Sequence, residues 1–420
     1  MLVFKFGGAS VKNAAAVRNI AEILRKYKEN IVVVLSAMGK TTNALEQITD
    51  NYVNGKKTEL EKNFENLRAY HYYIIKGLFE DEKHRVYDNV KEIFTIMRAK
   101  FEQPPTLDYD YDYDQIVCNG ELLSTIIVSA YLNEAGIKTE WMDIRQSLKT
   151  DKRYREAEVD WELTEQLVKK NFRFNSNHLF LTQGFLGGTR NNLSTTLGRE
   201  GSDYTAAILA YVLDAEKVVI WKDVSGVLNA DPKWFDETVL LEHLSYHDAI
   251  ELAYYGASVI HPKTIQPLKK KSIPLHVKSF VDPELNGTLV GIEDYEKLIP
   301  SFIFKMNQVL IHISARDFSF ITEDSLSVII AAFARHGLKI NLMQNTAISF
   351  QVCVNQDVNR LNRVISELEE MFNLDTEDGL ELVTIRYYDQ ATIDRVTVNK
   401  EIILEQHNRK VAQMVMKDLS

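Results

Sequence analysis

The sequence predicts an α/β fold, mainly a parallel sheet sandwiched by helices, followed by a smaller α+β region of ferredoxin-like order. Three observations carry this expectation. Short apolar runs end repeatedly in small-residue turns that open helices. One of them, Ile31-Val32-Val33-Val34-Leu35, is continuously apolar, as strands buried on both faces of a parallel sheet are. Past Gly291 the order changes to strand, helix, strand, strand, helix, strand.

The first strand, residues 2–6, passes through Gly7-Gly8 into a helix pattern carried by Val17, Ile20, Ile23 and Leu24. The second ends in Ser36-Ala37-Met38-Gly39. Residues 49–101 are charged and periodic, with Gly55 and Gly77 as their only glycines, and read as helices on or beside the sheet. The alternating tract from Asp108 to Asp114 reads as an exposed irregular connection rather than a metal-binding or partner-binding loop. Residues 179–182, 217–221 and 275–278 are further strands, each ending in a polar or glycine-containing loop. Ligands of open α/β sheets gather beyond the C-terminal ends of the strands, so these loops should converge on one site. In the tail, residues 310–313, 326–335, 340–343, 348–354, 361–372 and 382–387 supply the ferredoxin-like series. The expected domains are 1–292 and 300–420.

A chain of 420 residues exceeds what one core usually organises, and 45% hydrophobic with 26% charged residues is ordinary for a packed protein. Acidic residues outnumber basic ones 59 to 49, for a net charge of -10, which disfavours a general nucleic-acid surface. Cys118 and Cys353 are too few for a disulfide framework or a Cys-based zinc site and suit a reducing cytoplasm. The N-terminus lacks the pattern of a secretory signal, and no uninterrupted apolar run approaches the roughly 20 residues of a membrane span. A cytoplasmic enzyme is expected, with neither nucleic acid nor membrane as partner and no protein-built metal site.

Lys5-Phe6-Gly7-Gly8-Ala9-Ser10 joins a strand to a helix, so backbone N–H groups and the Lys5 charge suit an anion; glycines in such turns also occur for steric reasons. In the segment from Thr195 to Ala206, hydroxyls, a guanidinium and a carboxylate surround Gly198 and Gly201. Arg199 offers a fork for a carboxylate, Ser202 and Thr205 can cap the following helix, and Asp203 can hold Mg2+ or orient Lys5. The alternative is an elaborate N-cap. Glu121, in the first turn of the helix opened by Asn119-Gly120, either favours the helix dipole or anchors an ammonium group. The segments from Trp221 to Pro232 and from Gly256 to Lys263 read as loops, and His261 before Pro262 as structural rather than as a base.

Together, from Lys5 to about Tyr388, these segments resemble the aspartate kinases of the amino acid kinase family. The resemblance implies the amino acid kinase fold followed by ACT-type modules. It implies phosphorylation of the aspartate side-chain carboxylate to 4-phospho-L-aspartate, the first step toward lysine, threonine and methionine, with ATP and Mg2+. Lys5, Gly7, Gly8 and Ser10 would line the transferring phosphates, with Asp203 beside Lys5 at the reaction centre. Ser36, Thr42, Asn43, Glu121, Arg199 and Ser202 would surround aspartate. Lys222, Asp223, Leu228, Asp231 and Lys233, with Ser258 and Lys263, would hold the nucleotide.

The chain departs from the family, which often has threonine at Ala9, glycine at Glu200, threonine at Lys222, tyrosine at Leu228 and lysine at Ser258. Lys222, Lys233 or Lys263 could supply the charge missing at Ser258. In the tail, Asn341, Gln344, Asn345, Thr346 and Ile348 fall in the family's effector-binding turn, implying feedback by lysine or threonine and a homodimer or higher oligomer through the ACT regions. The second module is expected to be abbreviated. Rival readings are a related kinase with another acceptor and a catalytically silent amino-acid sensor.

Overall fold

The apolar runs that the sequence marks as strands become the middle of an eight-stranded sheet in the computed structural model, which describes residues 1–174, 178–235, 237–257, 260–292, 299–317 and 319–419. The chain divides into two units: Met1–Val227 with Glu242–Ile250 and Val259–Asp294, and Leu228–Leu241 with Glu251–Ser258 and Tyr295–Ser420.

The first unit's strands are β1 (Leu2–Phe6), β2 (Ile31–Leu35), β3 (Glu140–Met142), β4 (Leu179–Gln183), β5 (Leu186–Gly188), β6 (Ser194–Thr196), β7 (Lys217–Lys222), β8 (His243–Ser245), β9 (Leu275–Ser279) and β10 (Thr288–Gly291). The sheet order is β3-β4-β2-β1-β7-β9-β10-β8, and β5 with β6 forms a separate hairpin. From β3 to β9 every pairing is parallel; β10 is antiparallel to β9. Every residue of β1, β2 and β4 is buried, because helices cover both faces.

The helices up to residue 271 are α1 (Ala14–Arg25), α2 (Thr41–Val53), α3 (Lys57–Leu78), α4 (Val86–Phe101), α5 (Tyr109–Val117), α6 (Asn119–Glu134), α7 (Trp161–Asn171), α8 (Gly201–Val212), α9 (Tyr246–Tyr255), which is divided between the two units, and α10 (Pro262–Lys271); α6 and α8 pack directly on the strands of the first unit's sheet. Asn13 starts α1 by accepting the Ala16 amide at 2.8 Å. Helices α6 and α8 are apolar nearly all round and are correspondingly buried. Tyr109–Glu134, the stretch long and apolar enough by composition to cross a membrane among the described residues, has 78% of its apolar window buried inside the fold. From β1 the chain steps to β2 on one side and later to β7 on the other, so the strand order reverses beside the C-terminal end of β1. Crevices at such reversals are where open α/β sheets bind ligands.

The second unit continues with β11 (Ser301–Ala315), α11 (Glu323–Arg335), β12 (Ile340–Asn345), β13 (Ser349–Asn355), α12 (Val358–Leu368), β14 (Phe372–Arg386), α13 (Gln390–Val396), β15 (Lys400–His407) and β16 (Val411–Asp418). Its sheet runs β12-β13-β11-β14-β16-β15. The strands β11 and β14 are 15 residues long and serve two modules, with register shifts between Lys305 and Gln308 and between Gln308 and Leu310. On one side of the shift Val309, Ile311 and Ile313 pack with Ile329 and Phe333 of α11 and Val364 and Leu368 of α12. On the other, Phe302, Val383, Ile385 and Met414 pack with Val396 of α13 and with Ala230 and Phe235. The segment Leu228–Leu241 thus completes the core of a module whose only helix among the described residues is α13.

The structure corrects one reading outright. The Asp–Tyr tract is not an irregular exposed connection: Asp108 caps α5 by accepting the Tyr111 amide at 3.1 Å, and Asp112 and Asp114 are fully buried. Their carboxylates are satisfied at a distance, Asp112 by Lys100 at 2.8 Å and the Thr106 amide at 2.7 Å.

Candidate active site

Lys5 is the one charged residue in an otherwise apolar strand, and alternation places it opposite the face that buries Phe4 and Phe6. Its Nζ meets Asp203 Oδ1 at 2.7 Å, with 4% of the Asp203 side chain exposed. Asp203 stands in the first turn of α8, which packs on β1. Burial pushes its carboxyl up, but the Lys5 and Lys222 charges outweigh burial and hold it below the usual carboxylate range. A carboxylate so depressed and already engaged is a poor base; it fixes the lysine. Removing one partner of such a buried pair leaves an uncompensated charge costing about 3–5 kcal/mol.

Lys5 and Asp203 line a cavity of about 940 Å3 together with Ser36, Thr42, Glu121, Arg199, Ser202 and Lys222, all from the first unit. That volume suits a nucleotide beside a small acceptor. Ser36, just past β2, donates from Oγ to Ser202 Oγ at 3.0 Å. Gly184, just past β4, has no room for a Cβ, which would meet the Ser202 side chain at 2.5 Å. Glu121 is 2% exposed; Oε1 accepts the Ala37 amide at 3.3 Å, whereas Oε2 has no hydrogen-bond partner among the described residues. Burial, only partly opposed by that amide, pushes Glu121 up to about 8. A cation arriving at Oε2 would supply the missing partner.

Gly8 has a steric reason of its own: a Cβ would come within 2.8 Å of the Gly39 carbonyl oxygen, and Gly39 N donates to Gly8 O at 3.0 Å. Gly7 lies under Lys5 Nζ, and Ser10 is buried in the 3-10 turn Gly8–Val11. Helix α8 begins at Gly201, so Ser202 and Asp203 belong to its first turn, and its N-cap is Glu200 at φ 56° without a side-chain cap bond. The capping roles expected of Ser202 and Thr205 are not realised; Thr205 Oγ1 instead donates to Gly201 O and accepts the Phe185 amide, both at 3.0 Å. Glu200 therefore holds left-handed backbone that a glycine would adopt without steric cost.

Asn43 is exposed and does not line the cavity. Nor do Asp223 and Lys263, both exposed in the first unit. Leu228, Asp231 and Lys233 belong to the second unit, and Ser258 lies outside the described residues. Asn341 is buried, donating to Gln308 Oε1 at 2.8 Å and Asn355 Oδ1 at 2.7 Å and accepting from Lys305 at 2.9 Å. Gln344, Asn345, Thr346 and Ile348 are exposed around the β12–β13 turn, where Thr346 Oγ1 and Ser349 Oγ lie 2.7 Å apart.

The cavity wall also holds Phe185, Tyr113 and Arg155, none of which the sequence reading singled out. Phe185 was within reach, since it follows a strand end already expected to face the site. Tyr113 was lost with the misread tract, and nothing local marks Arg155.

A profile of the amino acid kinase family matches residues 1–279. The chain belongs to the amino acid kinase family. Within that family it is 30% identical over 399 residues to Arabidopsis thaliana aspartokinase 2, covering 88% of this chain and 71% of the relative. It is 29% identical over 400 residues to the lysine-sensitive aspartokinase 3 of Escherichia coli, covering 92% and 86%. It spans 32% of an Arabidopsis bifunctional aspartokinase/homoserine dehydrogenase, at 31% identity over 302 residues. The crystal structure of E. coli aspartokinase III with aspartate and ADP superposes with a TM-score of 0.84 at 26% identity, covering 99% of this chain and 96% of that one. The same enzyme with lysine and aspartate gives 0.81 at 27% identity, covering 99% and 95%. This member of the family therefore carries the amino acid kinase fold followed by ferredoxin-like modules of the ACT type.

Proposed function

We propose that the chain transfers the γ-phosphoryl group of ATP to the side-chain carboxylate of L-aspartate, giving 4-phospho-L-aspartate and ADP, and that lysine regulates it through the ACT-type region. The observation that carries the reading is the convergence of the Lys5–Asp203 pair with Glu121, Arg199 and Ser202 on one cavity. The likeness to an enzyme crystallised with aspartate and ADP supports the choice of ligands.

An aspartate carboxylate, with an ordinary pKa of about 3.9, is ionised at neutral pH and needs no general base. One of its oxygens bonds to the γ-phosphorus as the bond from phosphorus to the β,γ-bridging oxygen breaks, and that electron pair leaves on ADP. Lys5 and Lys222 lower the repulsion between carboxylate and phosphates, and Asp203 holds Lys5 where charge develops. Arg199 takes the α-carboxylate and Glu121 the ammonium, aligning the acceptor. Mg2+ would be held chiefly by the phosphates of ATP, neutralising part of their charge.

ADP release with L-aspartate, L-glutamate, N-acetylglutamate, carbamate and a nucleoside monophosphate tests the reading. Turnover confined to aspartate is expected. Preference for another acceptor would assign the site to a sister kinase, and inertness toward all of them would leave an amino-acid sensor.

A further inference from the structure

We propose that Arg155 is a substrate-binding residue of the first unit's cavity, a guanidinium held on its wall that favours acceptors carrying two carboxylates. The inference rests on the aspartate reading and deepens it.

Arg155 stands at φ 67°, in the left-handed region that residues with a side chain enter at a cost. Its backbone N–H donates to Asp114 Oδ2 at 3.0 Å. The same buried carboxylate accepts the Thr196 amide at 2.9 Å and the Thr196 hydroxyl at 2.7 Å, joining Arg155 to the strand that leads to Arg199. Ala157 N donates to Thr196 O at 3.0 Å, and a Cβ on Gly198 would come within 3.2 Å of the Arg155 carbonyl oxygen. Arg155 and Arg199 are thus carried on adjoining backbone and line the same cavity as Glu121.

The guanidinium is also held. It lies 4.5 Å from the Tyr113 ring centroid and 5.7 Å from that of Tyr109, and pairs with Asp110 at 3.3 Å. Tyr113 is itself fixed by a 2.7 Å hydrogen bond to Glu46. Packing does not explain this investment, because 45% of the Arg155 side chain is exposed. Asp110 is 53% exposed, and such a pair is weak enough for a substrate carboxylate to take its place. L-Aspartate brings two carboxylates and one ammonium. Arg199 and Glu121 answer one carboxylate and the ammonium, and Arg155 attracts the remaining carboxylate.

The test is steady-state kinetics on the full chain carrying R155G, R155N or D110N, with thermal melting of each. Glycine and asparagine tolerate the left-handed backbone, so neither R155 variant should lose stability. Both should raise the KM for aspartate by about tenfold, with the KM for ATP changed less than about twofold. Competitive inhibition by succinate, which has two carboxylates and no ammonium, should weaken in parallel. D110N releases the guanidinium and should lower the KM for aspartate by about twofold. An aspartate-active wild type whose KM is unchanged in both R155 variants overturns this inference alone. A wild type inert toward aspartate overturns the aspartate reading and the inference together.

Discussion

At Lys5 and Asp203 two charges are held almost out of water, and each justifies the other's burial. We expect Lys5→Ala and Asp203→Ala each to lower turnover by at least about three orders of magnitude, since what is lost acts on charge developing in the transition state. Circular dichroism should show the fold retained. Near-normal turnover in either variant would remove that residue from the reaction centre. Glu121 makes a separate, pH-dependent prediction. Between about 4.5 and about 8 the folded, substrate-free protein keeps a proton on Glu121 that the unfolded chain has released. This group therefore adds stability as pH falls from 8 toward 4.5 and withdraws it as pH rises through 8. Aspartate's ammonium requires the ionised form, so binding below about pH 8 should release a proton, and the KM for aspartate should fall as pH rises toward 8. Glu121→Gln should raise that KM and flatten its pH profile while sparing the KM for ATP. A wild-type profile already flat from about pH 6 to 9 would place the ammonium elsewhere.

At the scale of elements, the continuous apolar runs were the most legible. The buried apolar runs of β1, β2 and β4, and the polar residues just beyond them, state both the sheet and the edge where the site lies. Helix α5 shows where local reading stops. Its alternating aspartates and tyrosines carry no apolar helical period, and the partners that permit Asp114 to be buried, Arg155 and Thr196, lie 41 and 82 residues away. The one local signal was Asp108, an N-cap residue. Because Asp114 ties α5 to β6 through two hydrogen bonds and to the Arg155 backbone through a third, Asp114→Ala should cost about 2–4 kcal/mol in urea unfolding. It should also raise the KM for aspartate by releasing the Arg155 and Arg199 segments. A loss below about 0.5 kcal/mol would mean that these bonds are replaced by water.

For the whole molecule, the ferredoxin-like order of the tail was legible because it is written in consecutive elements. The contribution of Ala230 and Phe235 to the second module was not, since it joins residues far apart in sequence. Among the described residues the terminal strand β12 has no partner on its outer side in the second unit's sheet, an edge we expect to be covered by a second copy of the chain, so a dimer is the smallest assembly expected in light scattering. Lysine should bind near the exposed turn at Asn345 and Thr346 and inhibit. The coupling must be reciprocal: if lysine weakens aspartate or ATP binding, that substrate weakens lysine binding by the same factor. Asn345→Ala and Thr346→Ala should relieve inhibition with uninhibited turnover nearly unchanged. Calorimetry showing no heat with lysine or threonine, and no effect of either on rate, would reduce the tail to an assembly module.

The most direct test of the central claim is the identity of the product. The purified chain, incubated with ATP, Mg2+ and L-aspartate in the presence of hydroxylamine, should form aspartyl β-hydroxamate, because that nucleophile displaces phosphate from an acyl phosphate. Hydroxamate formation should match ADP release in amount and be lost in Lys5→Ala. ADP release without hydroxamate, or hydroxamate from a different acceptor only, would contradict the assignment of this cavity to aspartate phosphorylation.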